Sequence, residues 1–81
     1  MEPIIRFRVR KELDPTTERS IRKLKGGLIA QAFTDIIYFD TEEPDYYVHY
    51  FTTTPNDRDR ACEYITSYSV SNSLEEVVYL L

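Results

Sequence analysis

The chain has no tryptophan, two glycines, one cysteine, one histidine and one methionine among its 81 residues. Each shortage removes a class of chemistry. A lone Cys62 excludes an internal disulfide and a thiolate metal cage, which both need further sulfurs. It also suits a reducing compartment, so a cytoplasmic location is expected. A lone His49 has no second histidine with which to chelate a metal. No nucleophile motif accompanies it, so a packed or surface aromatic role is expected rather than catalysis. The glycines Gly26 and Gly27 are adjacent and do not lie between a strand and a helix, which excludes a phosphate-cradling loop. No apolar run approaches the ~18–20 residues of a membrane-spanning helix. Met1-Glu2-Pro3 lacks the basic and apolar regions of a secretion signal. No cofactor, resident metal or membrane contact is expected.

What is present suits one globular domain over residues 1–81. Hydrophobic residues make up 42% and charged residues 30%, with seven Tyr and four Phe to supply buried area. A chain of this size buries only roughly 60–65% of its unfolded surface. That leaves little material for a deep catalytic cleft, and a non-catalytic binding module is expected over an enzyme. The net charge of −4 is segregated. Residues 1–30 carry eight Lys/Arg against four acids, and residues 31–81 carry two Arg against ten acids. The overall balance disfavours nucleic acid and favours a protein partner with a basic surface.

The hydrophobic pattern predicts six elements. Ile5, Phe7 and Val9 alternate with Arg6, Arg8 and Arg10, the period of a half-buried strand over residues 4–10. Asp14 is placed to cap a helix whose first residue is Pro15. Ile21, Leu24 and Leu28 recur at helical spacing; Gly26-Gly27 either ends that helix near Lys25 or is absorbed while it runs on to Ala32, the longer reading being preferred. A second strand is expected over Asp35–Asp40 and a third over Tyr46–Thr53, joined by the acidic turn Thr41–Asp45. Thr54-Pro55 reads as the start of a second helix, with Ala61, Tyr64, Ile65 and Tyr68 on one face and Cys62 as a small buried neighbour. Ser69–Ser73 reads as a loop, and residues 75–81 as a final strand. The order β-α-β-β-α-β predicts an α+β, ferredoxin-like sandwich, with two helices on one face of a four-stranded antiparallel sheet.

In that fold one sheet face stays open, and Arg6, Arg8 and Arg10 would line it. Either Tyr46, Val48 and Tyr50 or Tyr47, His49 and Phe51 join them; periodicity does not say which. Arg beside Tyr suits a protein interface or a single-stranded nucleic acid. The third strand lacks the glycine of the RNA-recognition motif. The acidic tip, with Asp40, Glu42, Glu43 and Asp45, lacks the spacing of a calcium loop and reads as a solvated knob for a basic partner. Asp57, Asp59 and Glu63 would extend its field. The expected contact residues are Glu42, Glu43, Asp45, Tyr46, Tyr47 and Tyr50, with Arg6, Arg8 and Arg10 as an alternative open-face site.

Leu13-Asp14-Pro15, Leu24, Cys62-Glu63, and Asn72 with Glu75 resemble the helix-entry and C-terminal patterns of PurS. PurS is the small subunit of bacterial formylglycinamidine ribonucleotide amidotransferase. The resemblance implies a non-catalytic, oligomeric assembly subunit of a purine-biosynthesis enzyme. The chain departs from that family at Tyr38-Phe39-Asp40-Thr41, where an Arg-x-Gly-Lys segment is the pattern. In general character, small acidic α+β domains of this kind also resemble virus-encoded inhibitors of host nucleic-acid-binding complexes, which occupy a basic groove by charge mimicry. The leading expectation is a protein-binding regulator or inhibitor. An assembly subunit and a single-stranded nucleic-acid binder are the alternatives.

Overall fold

In the computed structural model, which describes residues 2–81, six elements follow in the expected order: β1 (Ile4–Arg10), α1 (Pro15–Ala30), β2 (Tyr38–Asp40), β3 (Tyr46–Thr52), α2 (Arg58–Ser71) and β4 (Val78–Leu80). The strands form one antiparallel sheet in the order β2-β3-β1-β4, an α+β arrangement consistent with the ferredoxin-like topology. Alternation along β1 sends Ile5, Phe7 and Val9 into the core, each at most 4% exposed. Leu24 and Leu28 of α1, Ala61 and Ile65 of α2, and Phe51 of β3 complete that core. Phe7 at its centre is fully enclosed, and truncation to Ala there costs about 3–5 kcal/mol in comparable cores.

The helix ends explain where the elements stop. Asp14 caps α1 by accepting a hydrogen bond from the Thr17 amide at 2.7 Å, and Pro15 takes the first turn, where its missing N–H goes unneeded. The Thr17 bonds hold the Asp14 carboxyl below its ordinary range. The helix runs through Gly26-Gly27, as the longer reading expected. The Tyr64 side chain of α2 covers Gly27, where a Cβ would overlap its hydroxyl, whereas Gly26 faces open space. So Gly27 permits close helix packing and Gly26 does not need to be glycine.

Both helices end in the same device. Ala32 at φ 61° and Ser73 at φ 56° adopt the left-handed conformation. Ala32 and Phe33 donate back to the Ile29 and Leu28 carbonyls, and Ser73 and Leu74 donate back to Val70 and Ser69. In each case the next residue, Phe33 or Leu74, is buried and pins the turn to the core.

These turns shorten the following strands relative to expectation. After Phe33 the chain must cross from the helix layer to the sheet, and Thr34 Oγ1 donates to the Ile36 carbonyl to form a bend. Ile36 is therefore exposed and β2 begins only at Tyr38. After Leu74, whose carbonyl accepts from both Val77 and Val78, β4 begins at Val78 rather than Glu75. The second helix also differs. Thr54 Oγ1 and carbonyl both accept from the Asp57 amide in a separate turn, so α2 starts at Arg58. It then continues through Ser69 to Ser71, where a loop was expected. Ser69 tolerates burial because its hydroxyl donates to the Ile65 carbonyl at 2.8 Å. Cys62 is half-buried at the margin of the core instead of inside it. Among the described residues no helix is long and apolar enough to cross a membrane.

Candidate functional site

The strand register decides which third-strand residues accompany the arginines. Arg6, Arg8 and Arg10 pair with Tyr50, Val48 and Tyr46. Side chains directly opposite in antiparallel strands share a face, so the open face holds the arginines together with Tyr46, Val48 and Tyr50. Tyr38 of β2 lies opposite Tyr50, and Tyr79 of β4 lies opposite Arg8, so both join that face. Tyr47, His49 and Phe51 point the other way, towards the helices. Of the three third-strand tyrosines expected as contacts, Tyr46 and Tyr50 therefore lie on the open face and Tyr47 on the helix side. A side-chain period of two puts Tyr47 opposite in direction to Tyr46 and Tyr50, and its ring lies 5.3 Å from the Lys11 ammonium.

The open face has two unlike halves. In the half nearer the β2–β3 hairpin, the charges are already engaged. The Arg8 guanidinium lies 4.5 Å from the Tyr46 ring centre and 5.5 Å from that of Tyr79. It also meets the Glu43 carboxylate at 3.7 Å. Arg10 donates through Nε to the Glu76 carbonyl at 2.8 Å and stands 5.9 Å from Tyr46. The far half is different. Ile4 is 52% exposed and Tyr38 51%. Tyr38 stacks on Tyr50 with ring centres 5.4 Å apart. Beside them Arg6 is exposed and forms no ion pair among the described residues.

The hairpin tip is built by Asp40, whose carboxylate accepts from the Glu42 amide at 2.8 Å and so turns the chain. Glu42 and Asp45 are exposed, while Glu43 folds back onto Arg8. The other expected acids do not extend this field. β3 runs away from the tip for seven residues, about 20 Å at strand rise, before α2 begins. Asp57 and Asp59 therefore lie at the opposite end of the sheet. They are also paired there, Asp57 with Arg60 at 3.4 Å and Asp59 with Arg58 at 3.5 Å.

His49 is a packed aromatic, 4% exposed and stacked on Phe7 with ring centres 5.1 Å apart. Burial, with the Lys25 charge adding, pushes its imidazole down to about 4, against a weak opposing pull from the Tyr47 backbone.

Tyr38, Ile4 and Tyr79 are open-face residues that pattern reasoning did not single out. Tyr38 was legible as a strand residue. Its stacking on Tyr50 depends on the β2–β3 register, which a five-residue turn does not set uniquely. Comparison of the chain with protein-family models, with curated proteins and with solved structures finds no match.

Proposed function

We propose that the chain is a non-catalytic protein-binding module, and that the half of the open sheet face far from the β2–β3 turn, with the acidic turn itself as an outlying rim, forms the contact surface. The observation that supports this most directly is the division of the open face. Two of its three arginines are engaged internally by Tyr46, Tyr79, Glu43 and the Glu76 carbonyl. The remainder is an exposed Ile4-Tyr38-Tyr50 patch with the single cation Arg6. Stacked tyrosines beside apolar area resemble the centre of a protein interface, whereas a phosphate backbone would need several unengaged cations. Glu42 and Asp45 stand on the same hairpin as an acidic rim, which complements a partner with a basic border. We read such a binding surface without a catalytic site as that of a regulator or inhibitor.

The test begins with capture of the partner from the native host and mass measurement of the purified complex. Affinity is then compared for wild type, Tyr38→Ala/Tyr50→Ala and Glu42→Gln/Asp45→Asn, at low and high salt. The tyrosine pair should weaken binding strongly at any salt. The acid pair should slow association and flatten the salt dependence. Unaltered affinity in both variants overturns the reading. So does tight binding of single-stranded RNA or DNA that Arg6→Glu abolishes, which would favour the nucleic-acid alternative. A stable homo-oligomer that buries Tyr38 and Tyr50 without any other protein would favour the assembly-subunit alternative.

A further inference from the structure

On the helix side of the sheet, α1, β3 and the end of β1 line a pocket of about 110 Å³. Leu13 and Ile21 supply apolar wall, Tyr47 and His49 close the β3 side, and Lys11, Arg22 and Lys25 stand around it. Glu18 is the single acidic residue of the lining.

Two independent features make this more than a crevice. The first is charge without compensation. None of the three cations takes part in an ion pair among the described residues, although Glu18 is one helical turn from Arg22. Lys11 donates to the Thr41 carbonyl at 3.1 Å and stands over the Tyr47 ring, with no carboxylate partner among the described residues. The second is an unanswered polar group. His49 is 4% exposed, and its Nδ1 is buried without a hydrogen-bond partner. A neutral imidazole offers one donor and one acceptor, and buried polar atoms are normally paired. The ring stacks on Phe7 with its planes nearly parallel, so reaching water would cost that contact.

We propose that this pocket binds a small organic anion: an anionic oxygen headgroup, carboxylate or phosphate, on an apolar body of about four carbons. The volume sets the size, since a cavity of roughly 150 Å³ is filled by a benzene-sized body. The headgroup meets Lys25 and Arg22, which lie three residues apart on one helix face, while the carbon body contacts Leu13 and Ile21. Inorganic phosphate would gain nothing from that apolar wall, and a neutral alcohol would gain nothing from the cations. Lys25 is the charge that acts on His49, with the Tyr47 backbone opposing it, and the other charged residues of the lining are Arg10, Lys11, Glu18 and Arg22. Bringing an anion among them raises the imidazole pKa, which provides a second readout. This site lies on the sheet face opposite the Tyr38–Tyr50 patch, so its test does not depend on the protein-binding reading.

The experiment is a heteronuclear NMR titration of the full chain at fixed ionic strength with butyrate, butyl phosphate, inorganic phosphate and n-butanol. Butyrate or butyl phosphate should shift the Leu13 and Ile21 methyls and the His49 ring saturably. The variant Arg22→Gln/Lys25→Gln, which removes one exposed and one half-buried cation, should weaken that binding at least about tenfold while leaving the denaturation midpoint nearly in place. Absence of saturable shifts with both organic anions overturns the proposal. Equal binding of n-butanol would reduce the site to an apolar crevice, and equal binding of inorganic phosphate would reduce it to a charged rim; either result also overturns it.

Discussion

Lowering the pH from 7 to 5 should destabilise this fold through one side chain. His49 has an ordinary pKa of 6.5 that the fold pushes down to about 4. Between those values the unfolded chain binds a proton that the native chain refuses. Stability therefore rises with pH across that window, is complete above about pH 6.5, and is lost as pH falls towards 4. Over the whole window the difference corresponds to about 3.4 kcal/mol at ~1.36 kcal/mol per pKa unit. Over the narrower step from pH 7 to 5 the same linkage gives about 1.8 kcal/mol, and water at the pocket mouth screens part of it, leaving about 1–2 kcal/mol. Urea denaturation followed by circular dichroism at half-unit pH steps measures this. With an m-value near ~1 kcal/mol/M for a small domain, the midpoint should fall by about 1–2 M. The control is His49→Phe, which keeps an aromatic ring against Phe7 but cannot titrate. Its midpoint should stay nearly level from pH 7 to 5. The low pKa of Asp14 also favours the fold at higher pH, but its contribution is lost only as pH falls below 3.8, outside this window. Equal pH slopes in wild type and His49→Phe would refute the reasoning, as would an NMR titration of the His49 ring with a midpoint near 6.5.

Two further predictions separate packing from propensity and internal from external charge. Gly26→Ala should stabilise by up to about 1 kcal/mol, because Gly26 is helical and a Cβ there meets open space. Gly27→Ala must displace the Tyr64 ring from its contacts with Phe33 and Tyr68. It should be neutral or destabilising, and thermal melts of the two variants should move in different directions. Arg8→Lys should cost about 1 kcal/mol, since a compact, strongly hydrated ammonium interacts less well with the Tyr46 and Tyr79 rings than the guanidinium does. The exposed Arg6→Lys should change stability by less than about 0.5 kcal/mol. Equal denaturation midpoints for the two would mean that Arg8 is not committed inside the fold, which would weaken the case for a protein partner over a nucleic acid.

Local chemistry alone determined much of this molecule. The alternation of Ile5, Phe7 and Val9 with three arginines specified a half-buried strand, because side chains along a strand alternate faces whatever they pack against. Asp14-Pro15 specified the start of α1, because a cap and a missing N–H act within one turn. The element order followed, and with it the α+β sandwich. The tertiary structure decided what depends on residues far apart in the chain. The ends of β2 and β4 were set by the buried Phe33 and Leu74, which anchor left-handed turns at Ala32 and Ser73 with no glycine to announce them. The register of β3 against β1 put Tyr46 and Tyr50 with the arginines and turned Tyr47 and His49 beneath α1, a choice that a one-residue slip would have reversed. The direction of β3 carried Asp57 and Asp59 away from the acidic tip. The meeting of Arg8 with Tyr46, Tyr79 and Glu43 brings three separate segments together, which explains why a row of cations that stands open in the sequence is largely engaged in the fold.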